Sequence, residues 1–357
     1  MNWTKYLEIG PYSLTQCEKE KIVTERMNEL TEYHYNNCEM YRKVIDFLYP
    51  NWKNVTKYEE VPVLPISLFK KLELVSVSRE EIIKTVTSSG TTGQQVSKIF
   101  LDRQTAGNQQ KVLNRIVTSY TGKKRMPMII LDTPSVLRNR AMFSARGAGI
   151  LGFSLFGSKK IYAFDENMKL QFSLIKKFIE EYEGETIFLF GFTYIIWQYF
   201  YKELKKLNEY LPLENAVMIH GGGWKKLSKE AVSKNLYKES LQSVCGIKKV
   251  YDYYGMAEQT GCIYMECEEG NLHASIFSDV LVRNMKDFSL CMEGQEGVMQ
   301  VLSVLPESYP GHSLLTEDTA RILGVDNCPC GRKGKYFEII GRIKNAEIRG
   351  CSDTFEK

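Results

Sequence analysis

Three short segments of this chain combine glycine with hydroxyl, aromatic or carboxylate side chains at the ends of apolar runs. The first, TSSGTTG at residues 87–93, follows the strand-like run at residues 82–87. Glycine lets a backbone approach a ligand closely, and hydroxyl and amide groups donate hydrogen bonds to phosphate oxygens. The segment therefore favours phosphate binding. Its composition is also typical of a loop tip, and it lacks the G-x-x-x-x-G-K-[ST] spacing of the common nucleotide-binding loop.

The other two segments lie further along the chain. HGGGW at residues 220–224 directly follows the apolar run at residues 216–219, and DYYGMAE at residues 252–258 follows another such run. Glycines at the carboxyl end of a strand allow a flat ligand to lie on the backbone of an α/β sheet. An aromatic ring and a carboxylate there could stack a base and hold a divalent cation near phosphates. Each segment alone is also compatible with an ordinary turn.

The order of the segments resembles the adenylate-forming superfamily, which includes acyl-CoA synthetases and luciferase-type enzymes. TSSGTTG is similar to the phosphate-binding loop of that superfamily, and YGMAE at residues 254–258 is similar to its Tyr-Gly-x-Thr-Glu motif, with Ala257 in place of threonine. Residues 316–318, TED, match its Thr-x-Asp motif, and Gly341-Arg342 match the Gly-Arg pair at its hinge.

Within the superfamily the chain more specifically resembles the acyl-protein synthetases of the LuxE type. TSSGTTG, HGGGW and the ending EIRGCS at residues 347–352 are all similar to that group. LuxE-type proteins supply activated fatty acid to an acyl reductase. The resemblance thus implies ATP- and Mg²⁺-dependent activation of a carboxylic acid, typically a long-chain fatty acid, with an acyl reductase or another acceptor protein as partner.

The resemblance also implies which residues bind ATP. The residues that would enclose the β- and γ-phosphates are Ser88, Ser89, Gly90, Thr91, Thr92 and Gly93, with Lys98 as the nearest substitute for the usual loop lysine. The residues that would contact adenine are Gly221, Gly222, Asp252 and Tyr254, which precedes Gly255. Glu258 would hold Mg²⁺, Asp318 would bind the ribose hydroxyls, and Arg342 would reach the ribose or a phosphate.

The resemblance also implies roles for residues after the hinge. In LuxE-type proteins a cysteine near the C-terminus carries the acyl group, and Cys351 is the matching position. A cation such as Arg349 favours the reactive thiolate. Composition alone favours an unremarkable tail cysteine, and the resemblance reverses that preference. The resemblance implies that the small C-terminal domain with the late catalytic lysine is largely absent. Lys344 and Arg349 are the candidate replacements, or a partner protein supplies the cation.

A second set of residues has the spacing of metal ligands. Cys328 and Cys330 form a tight pair, and Cys267 and His273 lie upstream. Three cysteines and one histidine are a typical closed tetrahedral set for structural zinc, and similar placements occur in phenylacetate-CoA-ligase-like members of the superfamily. Cys262 is a competing ligand, and reduced thiols without metal are the alternative.

Two other functions are compatible with the same motifs. The first is an acyl-CoA ligase of the phenylacetate type, in which CoA is the acceptor and Cys351 is incidental. The second is a nucleotide-binding subunit without adenylation activity, for which Ala257 and the absent late lysine would be the signs.

Composition narrows the class of protein. The chain has 357 residues, 43% of them hydrophobic, and a formal net charge of +4 from 47 basic and 43 acidic residues. This balance does not favour a nucleic-acid partner, and no apolar run reaches the length of a membrane span. The N-terminus lacks a signal-peptide pattern, so we expect a cytoplasmic protein in which the nine cysteines are thiols or metal ligands.

The pattern along the chain predicts an α/β fold. We expect a helical portion at residues 1–80, an adenylate-forming core at 81–340, and a hinge with a short tail at 341–357. Strands at 126–131, 186–190, 216–219 and 248–253 alternate with helices at 138–151, 170–183, 194–208 and 228–243, which predicts a sheet of parallel strands. Short alternating runs from residue 270 to 347 predict a β-rich portion.

Overall fold

The computed structural model describes residues 3–88, 96–137, 142–224 and 229–343, of which 142–145 are described by backbone alone. Two compact units are present. Residues 3–119 and 255–343 form one, called here the antiparallel unit, and residues 120–254 form the other, called the parallel unit. The candidate residues 89–93, Lys344, Arg349 and Cys351 lie outside the described residues.

The helices are α1 Gln16–Asn37, α2 Glu39–Leu48, α3 Leu68–Lys71, α4 Arg103–Thr121, α5 Ala145–Phe153, α6 Phe172–Glu181, α7 Thr193–Ile195, α8 Lys202–Leu207 and α9 Lys234–Cys245, with a π-helical turn Ile196–Tyr201 between α7 and α8. The strands are β1 Leu64–Pro65, β2 Ile82–Thr87, β3 Lys98–Asp102, β4 Met126–Leu131, β5 Met142–Ser144, β6 Gly157–Tyr162, β7 Phe188–Phe192, β8 Val217–Gly221, β9 Lys249–Tyr254, β10 Tyr264–Glu266, β11 Leu272–His273, β12 Ser278–Arg283, β13 Glu296–Ser303, β14 Ser313–Val325 and β15 Lys335–Arg342. Among these helices, none has both the length and the apolar character needed to cross a bilayer.

The parallel unit contains a sheet in the order β9-β8-β7-β4-β6, and every neighbouring pair runs parallel. Every residue of β4, β7 and β8 is buried, as expected for parallel strands that are covered on both faces. On one face, the ring of Phe153 in α5 stacks on Phe190 with 3.9 Å between centroids. The predicted parallel sheet is confirmed, and the carboxyl ends of β7, β8 and β9 meet at one edge.

The antiparallel unit contains strands in the order β12-β13-β14-β15-β11-β10, and β1 pairs in parallel with β14. A separate antiparallel pair joins β2 to β3. The β-rich portion predicted after residue 270 is thus confirmed as β11 to β15. Together the two units give the mixed α/β fold expected from the sequence.

Two predicted helices begin later than the sequence suggested. The helix expected from residue 228 starts at Lys234, because the Ser233 side chain caps it by accepting a hydrogen bond from the Leu236 amide. The helix expected from residue 138 starts at Ala145, and strand β5 precedes it. Local composition did not separate these starts from the preceding loops, since capping and strand pairing depend on single residues and on distant partners.

Helix α1 is anchored to the antiparallel sheet by a buried charged group. Lys19 Nζ lies 3.2 Å from Asp279 Oδ1 on β12, and the two side chains are 1% and 0% exposed. Gln16 donates to the other carboxylate oxygen at 2.7 Å, and Lys335 Nζ lies 3.5 Å from it. A carboxylate with three side-chain donors meets the requirement that a buried charge be paired, so this contact fixes the position of α1.

Two buried histidines stack on each other at a second contact of α1. His34 and His312 have ring centroids 5.1 Å apart. The His34 nitrogens contact Ser76 Oγ at 2.7 Å and the Pro306 carbonyl at 3.1 Å, and His312 Nε2 lies 3.0 Å from Thr31 Oγ1. Burial lowers the pKa of His34 to about 3 and lowers that of His312 well below its ordinary value. Both imidazoles are therefore neutral in the folded protein.

This pair predicts a loss of stability in mild acid. The unfolded chain takes up a proton at each histidine near pH 6.5, whereas the folded chain does not, so the free energy of unfolding falls as the pH drops below that value. At pH 5.5 the loss is about 1.4 kcal/mol per histidine. Urea titrations at pH 7.0 and 5.5 measure it. The His312→Gln variant, which keeps an amide near Thr31, should lose less stability between the two pH values than wild type. An equal loss in both proteins would contradict the assignment.

Candidate nucleotide and metal sites

In the parallel unit, the predicted adenine residues lie at the ends of two neighbouring strands. The register of β8 and β9 pairs His220 with Asp252 and Gly221 with Tyr253. A Cβ atom on Gly221 would lie 2.6 Å from the Tyr253 ring, so only glycine fits there. Gly222 has φ of 83°, a conformation that favours glycine. The glycine segment therefore exposes backbone at the strand end beside Asp252, where a flat ligand could lie.

In the antiparallel unit, Ser88 and Lys98 mark the two ends of the predicted phosphate loop. Strands β2 and β3 pair Thr87 with Lys98, and beyond them the Ser88 amide donates to the Ser97 carbonyl at 3.1 Å. The Ser97 amide donates to Ser88 Oγ at 2.9 Å. Lys98 is exposed at the start of β3. The residues on the two sides of this loop are therefore held together by the antiparallel pair.

Asp318 and Arg342 are brought together by the pairing of β14 with β15. They are register partners, and Arg342 Nε lies 3.3 Å from Asp318 Oδ1. Arg342 also contacts Glu317 at 2.9 Å. Thr316 supports the same segment, because its hydroxyl accepts from the Asp318 amide at 3.2 Å. The carboxylate and the guanidinium remain 21% and 34% exposed, so both are oriented and accessible to a ligand.

Glu258 follows the aromatic segment and lies in a short helical turn. Glu258 is only 3% exposed, and its backbone carbonyl accepts a hydrogen bond from the Tyr309 hydroxyl at 2.9 Å. Tyr309 is itself fully buried. Neighbouring Gln259 donates to the Gly311 and Val301 carbonyls at 2.8 and 3.2 Å. The backbone that carries the Glu258 carboxylate is therefore held from both sides, as a preorganised cation ligand requires.

Four other side chains of the antiparallel unit form a compact cluster. The ligand atoms of Cys267, His273, Cys328 and Cys330 all lie within 4.8 Å of one another. Cys267 Sγ is 3.9 Å from Cys328 Sγ, and Cys330 Sγ is 3.4 Å from His273 Nε2. Around a tetrahedral zinc ion, ordinary bond lengths place two sulfurs about 3.8 Å apart and a sulfur and a nitrogen about 3.5 Å apart. The four side chains therefore fit zinc.

Two similar turns present the cysteines of this cluster. The Gly270 amide donates to the Cys267 carbonyl and the Gly331 amide donates to the Cys328 carbonyl, both at 3.0 Å. Both glycines have positive φ, 79° and 82°. Pairing of β11 with β15 and an Arg332–Glu268 ion pair bring the turns together. The same turn thus occurs twice in the chain, and the two turns together present the three cysteines of the cluster.

Protonation and position further define the cluster. Burial raises the pKa of the Cys267 thiol to about 12, and burial and the Arg332 charge lower the pKa of His273 to about 4. A divalent cation would stabilise both the thiolate and the neutral imidazole. Cys262, the competing ligand, lies elsewhere: its thiol donates to the Phe277 carbonyl at 3.3 Å and accepts from Ser303 at 3.2 Å.

Comparison with known proteins identifies the family. The family described as acyl-protein synthetase, LuxE, matches residues 5–357. The chain belongs to the LuxE family. A long-chain-fatty-acid–luciferin-component ligase of Vibrio harveyi is 23% identical over 352 residues, covering 96% of this chain and 89% of the relative. The protein with the same name from Aliivibrio fischeri is 23% identical over 350 residues, covering 94% and 88%. This LuxE-family chain is therefore a ligase of the acyl-protein synthetase class.

Solved structures of 2-hydroxyisobutyryl-CoA ligase share the fold of this LuxE-family chain. An open conformation of 2-hydroxyisobutyryl-CoA ligase has a TM-score of 0.73 and 17% sequence identity, covering 94% of this chain and 77% of that one. The same ligase in its postadenylation state has a TM-score of 0.72, also with 17% identity, covering 93% and 70%. At this identity the likeness establishes the fold, in agreement with the fold expected from the motifs.

The structure groups the predicted site residues within each unit. In the LuxE-family parallel unit Gly221 lies beside Asp252, and in the antiparallel unit Asp318 pairs with Arg342 and the four cluster side chains meet. One residue near these positions was not identified from the sequence. Thr193, directly after β7, contacts both His220 and Gly221. Its sequence signal was only its position between the predicted strand at 186–190 and the predicted helix at 194–208.

Proposed function

We propose that this protein activates a long-chain fatty acid as an acyl-adenylate and transfers the acyl group to the thiol of Cys351, for delivery to an acyl reductase or another acceptor protein. Family membership across residues 5–357 supports the proposal most strongly. The relatives named as long-chain-fatty-acid–luciferin-component ligases support the substrate class.

The first step joins the acid to AMP. A carboxylate oxygen of the fatty acid attacks the α-phosphorus of ATP, the bond from that phosphorus to the bridging oxygen breaks, and pyrophosphate leaves. Such a reaction depends on positioning and on neutralisation of phosphate charge. Asp318 would accept hydrogen bonds from the ribose hydroxyls, and its contact with Arg342 holds it in place. Gly221, Gly222, Tyr254 and Asp252 would bind adenine.

Mg²⁺ is implied for this step, and a buried glutamate on a fixed backbone fits it. When bound, Mg²⁺ would neutralise phosphate charge. Glu258 would hold the ion through its carboxylate, Lys98 would add positive charge near the loop, and the loop residues 88–93 would donate hydrogen bonds to the phosphates.

The second step moves the acyl group. The Cys351 thiolate attacks the acyl carbonyl carbon, a thioester bond forms, and the acyl–phosphate bond breaks to release AMP. Lys344 and Arg349 are the proposed cations near this reaction, since a neighbouring cation favours the thiolate. A second thiol on the acceptor protein would then take the acyl group by exchange.

Labelling without CoA tests this function. Wild type, Cys351→Ser and the control Cys17→Ser, which removes an exposed thiol from α1, are incubated with ATP, Mg²⁺ and labelled fatty acids. We expect hydroxylamine-sensitive label on wild type and Cys17→Ser, and at least a tenfold loss on Cys351→Ser, because a serine alkoxide does not form near neutral pH. Pyrophosphate exchange without protein label would instead indicate CoA or another external acceptor. Absence of exchange would indicate a subunit without adenylation activity.

We also propose that Cys267, His273, Cys328 and Cys330 bind a structural Zn²⁺ ion. The distances between the ligand atoms support a tetrahedral ion, and four protein ligands leave no open position for a substrate. The ion would link residues that lie 61 positions apart, and would therefore stabilise the antiparallel unit without taking part in the reaction.

A further inference from the structure

The carboxyl end of β7 contributes a buried threonine to the strand ends proposed for adenine. Thr193 is 5% exposed and is the first residue of α7. Its hydroxyl lies 2.9 Å from His220 Nδ1 and 3.1 Å from the Gly221 carbonyl oxygen. It therefore connects two consecutive residues of β8 through one side-chain oxygen.

The chemistry of these groups assigns the direction of both hydrogen bonds. A carbonyl oxygen only accepts, so the Thr193 hydroxyl proton points to Gly221. The hydroxyl oxygen must then accept from His220, which places a proton on Nδ1 of the imidazole. That nitrogen also lies 3.6 Å from Asp252 Oδ1. The Tyr253 amide donates to the same Asp252 oxygen at 2.8 Å. The two N–H groups therefore favour the same orientation of the carboxylate, with Oδ1 toward both of them.

The surrounding residues hold Thr193 and His220 rigidly. The Tyr237 hydroxyl donates to the Thr193 carbonyl at 3.4 Å, and the Tyr237 ring lies 4.8 Å from the His220 ring. The Trp197 ring stacks on Tyr237 at 5.7 Å, and Trp197 lies in the π-helical turn that follows α7. Such turns in helices frequently occur at functional sites. The ends of β7, β8 and β9 are therefore connected by polar contacts, and aromatic rings pack around these contacts.

We propose that Thr193 and His220 are positioning residues for recognition of the nucleotide base. Thr193 fixes the Gly221 backbone on which adenine would lie, and His220 orients the Asp252 carboxylate that would accept the 6-amino group. The inference rests on the proposed function, since that function assigns adenine to Gly221 and Asp252. Base selectivity then depends on the Thr193 hydroxyl and the His220 imidazole, and neither group has to touch the nucleotide.

Binding of two nucleotides tests this role independently of catalysis. Titration calorimetry measures the Kd of ATP and of purine riboside triphosphate, which lacks the 6-amino group. For Thr193→Val, we expect the Kd of ATP to rise about tenfold and the preference for ATP over the analogue to fall several-fold, because both hydrogen bonds are lost. Thr193→Ser keeps the hydroxyl and should restore both values to near wild type. His220→Leu should reduce the preference, and His220→Asn, which keeps a donor, should reduce it less.

A matched control separates positioning from general destabilisation. Thr31→Val removes another buried threonine–histidine hydrogen bond, the one to His312 at 3.0 Å in the antiparallel unit. It should lower the melting temperature without changing either Kd. In pyrophosphate exchange, Thr193→Val should raise KM for ATP more than it lowers kcat. Unchanged Kd and preference in Thr193→Val would overturn the inference, as would a wild-type protein that does not bind ATP. Nucleotide binding without exchange would refute only the proposed adenylation.

Discussion

The Glu258→Gln variant should lose about 10²–10³-fold in the rate of ATP–pyrophosphate exchange. Glutamine has nearly the same shape as glutamate, so the buried turn should keep its structure, including the bond from Tyr309 to the Glu258 carbonyl. The change removes one negative charge from the proposed Mg²⁺ ligand. Mg²⁺ prefers charged oxygen ligands, so the variant should need a higher Mg²⁺ concentration for half-maximal exchange.

The control is a partly buried glutamate of the same unit. Glu307 pairs with Arg26, and its side chain is 20% exposed, so Glu307→Gln also removes a charge and a buried contact. It should lower stability and leave the Mg²⁺ dependence unchanged. If Glu258→Gln keeps exchange within a few-fold of wild type at every Mg²⁺ concentration, Glu258 is not the metal ligand.

The second large effect concerns the cysteine–histidine cluster. Purified protein should contain about one zinc ion per chain, and Cys328→Ser should lose it, because serine is a poor zinc ligand at neutral pH. A link between residues 61 positions apart stabilises a folded chain by about 4 kcal/mol through the chain entropy of the unfolded state. The melting temperature of Cys328→Ser should therefore fall by about 5 °C.

Cys262→Ser provides the comparison for this variant. Cys262 is a buried thiol of the same unit that lies outside the cluster, so its replacement costs packing without removing a ligand. Elemental analysis should find zinc retained in Cys262→Ser and lost in Cys328→Ser. Treatment of wild type with a strong chelator should reproduce the lower melting temperature of Cys328→Ser. Wild-type protein that is free of metal and insensitive to chelator would contradict the zinc proposal.

Much of the fold was predictable because its signals are local. Apolar runs that end in glycine marked β8 and its exit, and the observed strands begin and end within about two residues of the predicted ones, as is usual for element boundaries. The motifs were also local: Ser88, Gly221, Glu258 and Asp318 were each assigned because a short segment around them resembles a family motif. The spacing of Cys328 and Cys330 indicated metal ligands before any contact was known.

Tertiary structure alone decided which distant residues meet. From the sequence, either Cys262 or Cys267 could be the zinc ligand that joins Cys328 and Cys330. The pairing of β11 with β15 brings Cys267 beside Cys328. The stacking of His34 on His312 joins residues far apart in the chain and has no local signal. The position of Thr193 against Gly221 depends on the order of strands in the parallel sheet. A sequence shows the chemistry of each residue, but hydrogen bonds and metal sites depend on distances that are set when separate strands pair.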